Sequence, residues 1–182
     1  MGLDMYLYRK TYVQNWDHMT EDRRHTITVK LGGVERADIK PERIAYIVEQ
    51  VAYWRKANQI HHWFVRNVQN GVDECQESCV SHDKLAELVA LCKRVLSGTE
   101  MVQGILNVGQ SITKDGVEQL TTDGEVVAQD YLAKQLLPAV GGFFFGSTDY
   151  DEFYMGDLEE TVEQLEPLLS DEDGEFFYHA SW

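Results

Sequence analysis

Apolar and polar residues alternate from the start of the chain, with Leu3, Met5 and Leu7 on one side and Asp4, Tyr6 and Tyr8 on the other. A period of two predicts a strand over residues 2–13, buried on one face and tyrosine-bearing on the other. The pattern returns at His25–Leu31, where Thr26, Ile27, Thr28 and Val29 precede Gly32-Gly33, and this predicts a second strand. After Asp38 and Pro41 the spacing turns helical, because Ile44, Val48 and Val51 align at 3.6 residues per turn and Asn70-Gly71 offers a stop. The expectation there is one long central helix, reaching about 28 residues.

Ser81 and Asp83 open a further helix that presents Leu85, Leu88, Leu91, Cys92 and Val95 on one face and stops at Ser97-Gly98. Residues 99–124 fit no single template: alternating apolar positions and Gly104, Gly109, Gly116 and Gly124 suggest short strands, turns or a flexible lobe. A third helix is expected over Glu125–Leu137, stopped by Pro138, and a buried strand over 141–147 entering a turn. Asp157–Leu169 reads as an amphipathic helix with Leu158, Val162, Leu165 and Leu169 inward, and Phe176–Trp182 as a closing aromatic strand. Strands at both ends with helices between argue for one α+β domain over residues 1–182, its sheet mostly antiparallel and formed by the terminal strands, with the long helix and additional helices packed on it.

Composition narrows the classes. The chain has 182 residues, 43% of them hydrophobic and 11% aromatic, which suits a folded globule. No run approaches the roughly 18 apolar residues of a membrane span, and the opening lacks a signal peptide's basic and apolar regions, so a cytoplasmic location is expected. Acids outnumber Lys and Arg 31 to 16 for a net charge of -15, and residues 135–182 hold 12 acids with no Lys or Arg. Such a surface repels phosphate backbones and disfavours non-specific nucleic-acid binding. It serves either as a solvated face or as an acidic surface that attracts a basic host protein or imitates a nucleic acid.

Cys75, Cys79, His82 and Cys92 contain zinc-binding atoms, but the first pair lacks the two-residue knuckle spacing and no second pair matches it, so no metal is expected. Neither phosphate loop, dinucleotide fingerprint nor Gly-x-Ser-x-Gly elbow occurs, and no cofactor is expected.

The chemistry concentrates in residues 53–64, where Arg55, Asn58 and His62 interrupt the apolar stripe of the expected helix beside Trp54 and His61. Burying such groups unpartnered costs about 1–3 kcal/mol each, so they meet an internal network or line a cavity. Arg55 offers a planar fork for phosphate or carboxylate, Asn58 reads an amide or base edge, the histidines titrate near neutrality, and Trp54 supplies stacking surface. Ser147, Tyr150 and Asp151, in the turn after the expected 141–147 strand, are the remaining candidate contacts. The internal alternative pairs Arg55 with Asp149 or Asp151 and uses Asn58 and one histidine as ties.

The opening Met-Gly-Leu-Asp-Met-Tyr-Leu, the block Tyr-Trp-Arg-Lys-Ala-Asn-Gln-Ile-His-His-Trp-Phe, the segment Gly-Phe-Phe-Phe-Gly-Ser-Thr-Asp-Tyr-Asp and the final Tyr-His-Ala-Ser-Trp resemble a family of small uncharacterised proteins of bacteriophages, prophages and some bacteria. In that pattern His61, not His62, is the recurrent histidine, which implies Trp54, Arg55, Asn58 and His61 as the set facing the site. The resemblance implies an accessory role in host takeover, metabolism or counter-defence. The functional expectation is a binder of a small polar, nucleotide-like ligand; the alternatives are an acidic inhibitor of a host protein and, third, a phosphoester hydrolase using His61 with Asp149 or Asp151. Self-association is left open.

Overall fold

The computed structural model describes residues 2–114, 116–142, 145–170 and 174–182. Its frame is a four-stranded antiparallel sheet built from β1 (Asp4–Tyr12), β4 (Tyr46–Arg55), β5 (Ser78–Val80) and β8 (Glu175–Ser181), in the order β4-β1-β8-β5. The two ends of the chain therefore pair side by side, with Met5 opposite Ala180 and Leu7 opposite Tyr178. The fold is α+β, as the order of strands and helices predicts.

Alternation decides which face of this sheet is buried. Leu3, Met5, Leu7, Ala52, Trp54, Phe176, Tyr178 and Ala180 are almost inaccessible and face α1 (Asn58–Asn67), α2 (His82–Gly98) and α4 (Glu152–Leu165), whose Ile60, Phe64, Leu88, Cys92, Leu158 and Leu165 complete the core. Each large side chain removed from water contributes roughly 1.5–3 kcal/mol, so this layer dominates the stability. The opposite face carries half-buried aromatics: the Tyr6 ring lies 6.0 Å from Tyr8, 5.4 Å from Tyr53 and 6.0 Å from His179.

The long central helix does not form. Residues 46–55 are strand β4, paired with β1 so that Met5 faces Trp54 and Leu7 faces Ala52, and α1 is only ten residues long. Two physical reasons decide this. Tyr46, Ile47, Val48, Val51, Tyr53 and Trp54 are β-branched or aromatic and favour a pleated surface. Lys56 then adopts φ 64, a left-handed conformation that no helix passes through.

The His25–Leu31 strand contracts to a two-residue β2 (Lys30–Leu31) paired with β3 (Val34–Glu35), joined by Gly32 and Gly33 at φ 58 and 84. Both central residues thus have the positive φ that a tight hairpin turn requires. The unassigned stretch is a long hairpin, β6 (Met101–Thr113) with β7 (Gly116–Val127), in which Ile105, Val108, Val117 and Leu120 remain exposed. That hairpin absorbs Glu125–Val127, so the third helix is reduced to α3 (Tyr131–Leu136), ending before Pro138. Of the expected 141–147 strand, residues 141, 142 and 145–147 are irregular backbone, and Phe143 and Phe144 lie outside the described residues. α4 begins five residues earlier than its leucine pattern suggests, because Asp151 caps it by accepting from the Phe153 and Tyr154 amides, each at 3.0 Å. Among the described residues no helix is long and apolar enough to cross a membrane.

Candidate functional site

Where β4 hands over to α1, three other segments converge and leave a cleft of about 930 Å³. The handover contributes Arg55, Lys56, Asn58 and Gln59; the β6–β7 hairpin contributes Asn107 and Gln119; residues 146–149 form a third side. The first turns of α4 supply Glu152, Phe153 and Asp157. A volume of this size accommodates a ligand of nucleotide dimensions.

The handover is held by backbone geometry. Lys56 N–H donates to Leu3 O at 2.8 Å and Asn58 N–H to Lys56 O at 2.8 Å, which turns the chain sharply and points the Arg55 and Lys56 side chains outward. Neither cation has an ion pair or side-chain hydrogen bond among the described residues. The expected pairing of Arg55 with Asp149 or Asp151 is absent; Asp149 instead accepts from Asn107 Nδ2 at 2.8 Å.

Asn58 borders the cleft but its side chain is committed. Nδ2 donates to Ser147 O at 2.7 Å and Phe145 O at 3.2 Å, while Oδ1 accepts from Val140 N–H at 2.9 Å. One buried amide thereby ties the start of α1 to both ends of the 140–147 segment. Ser147 lines the cleft, and its Oγ accepts from Asp149 N–H at 3.0 Å.

The remaining expected contacts face inward. Trp54 is buried and donates from Nε1 to Thr161 Oγ1 at 3.0 Å, so its ring packs in the core instead of stacking on a ligand. His61 is sealed between Tyr178, whose hydroxyl lies 2.8 Å from Nδ1, and Asp73, whose carboxylate lies 3.0 Å from Nε2. A carboxylate only accepts, so Nε2–H is the donor to Asp73. Trp182 Nε1 donates to the other Asp73 oxygen at 3.2 Å, and the stacked Phe64 ring, 3.9 Å from that of Tyr178, closes the hydroxyl's ring from one side. His62 is half-buried against a small hollow with Arg66, and burial together with Arg66 lowers its pKa. Neither histidine lines the cleft. Tyr150 accepts from Ala139 N–H at 3.0 Å and packs on Tyr154, and Asp151 serves as the α4 cap.

No family model, curated protein or solved structure matches the chain.

The cleft also holds residues that sequence patterns do not single out. Gln59 is buried and donates from Nε2 to Asp157 Oδ2 at 2.9 Å. Burial, opposed by that bond and reinforced by Glu160 and Asp151, pushes the Asp157 carboxyl up to about 6. Phe153 stands 58% exposed at the cleft, a large aromatic face open to solvent. Lys56 was visible next to Arg55, but its role depends on a left-handed turn that residue type does not announce. Asp157 lies in the second turn of α4 and resembles any solvated acid until Gln59 is brought against it.

Elsewhere the thiols are separated in character: Cys79 is exposed, Cys75 half-buried, and Cys92 buried with its pKa pushed up to about 12 by desolvation. Among the described residues no group of three His, Cys, Asp or Glu side chains is placed to hold a metal ion.

Proposed function

We propose that this protein captures a small anionic ligand of nucleotide type in the cleft at the β4–α1 handover. One observation carries the reading: Arg55 and Lys56, in a chain with 31 acids against 16 Lys and Arg, stand at that cleft without an acidic partner among the described residues. A phosphate group answers that arrangement, since a guanidinium and an ammonium side by side match its oxygens and each charged hydrogen bond is worth about 1.5–3 kcal/mol. Phe153 supplies a face for a base, and Asn107, Gln119 and Ser147 supply neutral donors and acceptors.

Capture is favoured over catalysis. Ser147 Oγ accepts from the Asp149 amide and His61 is withdrawn into the core, so the histidine that a serine–histidine pair would need does not reach the cleft. Titrating the protein calorimetrically with pyrophosphate and with 5′-mononucleotides tests the reading. Saturable binding is expected, weakened roughly tenfold or more by Arg55→Ala, with the nucleotide recovered intact after denaturation. Absence of binding by the native chain, or binding indifferent to both Arg55→Ala and Lys56→Ala, overturns it.

A second reading has its own observation. Glu159, Glu160 and Glu163 are exposed on α4 and carry no ion pair among the described residues, which suits a basic site on another protein. Reversing these three charges should abolish a salt-sensitive complex if that surface is the active one; an undiminished complex excludes it. The resemblance to phage proteins would place either activity in host takeover or counter-defence.

A further inference from the structure

We infer that the base presented to this cleft is guanine, read by the paired acceptors of Asp157 and Gln59; the inference rests on the nucleotide reading above and adds which base is chosen. The Gln59 amide is oriented by its partner, because only its NH2 group can face a carboxylate, and Nε2 donates to Asp157 Oδ2 at 2.9 Å. That bond leaves two oxygens, Asp157 Oδ1 and Gln59 Oε1, without a hydrogen-bond partner among the described residues. Both side chains line the cleft, and although Gln59 as a residue is only 2% exposed, neither oxygen is among the fully buried polar atoms that lack a partner, so both stay reachable from the cleft. Two acceptors open to the cleft and matched by nothing among the described residues answer to donors on a ligand.

Two neighbouring acceptors, one of them anionic, select among bases by simple complementarity. Guanine presents N1–H and the N2 amino group on one edge, two donors side by side. Hypoxanthine keeps N1–H and lacks the amino group. Adenine and cytosine place a ring-nitrogen acceptor beside their amino group, which a carboxylate repels. Sites that demand a particular hydrogen-bonding partner reject its absence strongly because the buried group is then left unpaired. The anionic end of the same ligand is served by Arg55 and Lys56, so charge is matched at both ends of the molecule.

The full chain, titrated calorimetrically with GMP, IMP, AMP and XMP, tests this. GMP should bind roughly tenfold or more tightly than IMP and more tightly still than AMP. Asp157→Asn keeps an oxygen for the Gln59 amide and turns a donor toward the ligand, so it should invert the order of GMP and XMP, whose C2 carbonyl accepts. Equal affinity for GMP, IMP and AMP overturns the guanine inference while leaving capture of nucleotides standing, and so does an Asp157→Asn protein that still prefers GMP. Failure of all four to bind overturns the nucleotide reading and this inference with it. The native chain alone decides the first comparison, whatever the variant's stability.

Discussion

Gly146 lies so close to Lys56 that a Cβ on the glycine would stand 3.1 Å from Lys56 Cβ and 3.3 Å from its carbonyl oxygen. Both residues have left-handed backbones, with φ 94 at Gly146 and φ 64 at Lys56. The contact sets the distance between the handover and the 146–149 side of the cleft. Gly146→Ala should therefore destabilise the fold by about 1–3 kcal/mol, from strain and from the displaced Lys56 carbonyl. Urea denaturation measures the loss; an unchanged midpoint would show that this contact is slack.

Asn58 holds three backbone groups from inside the protein, so Asn58→Ala should cost about 2–4 kcal/mol and expose the Val140 amide. Asn58→Asp should be nearly as damaging, since a carboxylate still accepts from Val140 but repels the Phe145 and Ser147 carbonyls. Hydrogen exchange at Val140 reads the effect directly. Protection that survives Asn58→Ala would mean another group secures the 140–147 segment.

His61 separates the structural account from the sequence one. Lying between Tyr178 and Asp73 and away from the cleft, it should be a stability residue: His61→Ala should lose about 2–4 kcal/mol by opening a cavity and orphaning its two partners. Ligand affinity at a temperature where the variant is folded should change by less than about threefold. A large affinity loss with little change in stability would return His61 to the site.

Much of the frame was legible in the chain. Strict alternation at Leu3, Met5 and Leu7 fixes β1, Ser81 and a leucine face fix α2, and aromatic alternation fixes β8. β4 reads as helix from sequence because Ile44, Val48, Val51 and Arg55 satisfy a helical spacing, although Val48, Val51 and Arg55 lie on the strand and Ile44 just before it; only pairing with the distant β1 breaks the tie. The β6–β7 hairpin was illegible for the opposite reason. Ile105, Val108, Val117 and Leu120 are exposed, so no buried face imposes a period.

The site was half legible by the same physics. Arg55 and Ser147 do meet at the cleft, and Asn58 borders it. Trp54 and His61 belonged to the core once residues 46–55 became a strand, since Trp54 then points to the helix-covered face and His61 to Tyr178 on β8. Gln59 and Asp157 gain meaning only through a hydrogen bond spanning 98 positions.

Asp157 gives the protein a pH signature. Its carboxyl is raised from 3.8 to about 6 in the fold, first by burial, with Glu160 and Asp151 adding to the shift and Gln59 opposing it. The folded state therefore holds a proton that the unfolded chain has released, and stability from this group falls as pH rises through the window between those values. Asp157→Asn, which keeps the Gln59 bond, should make the protein more stable than the parent at pH 7–8, and the advantage should shrink toward pH 4, where the parent carboxyl is protonated. Denaturation midpoints of both proteins across that range check the sign; an advantage that grows on acidification contradicts it.

The most direct test of ligand capture is an amide NMR titration of the native protein with 5′-GMP. Saturable shifts are expected, confined to Lys56, Gln59, Ser147, Thr148, Phe153 and Asp157, with the amides around Tyr178 and Asp73 unmoved. Shifts centred on the His61 network or on the aromatic face of Tyr6 and Tyr53, or none at millimolar nucleotide, would contradict it.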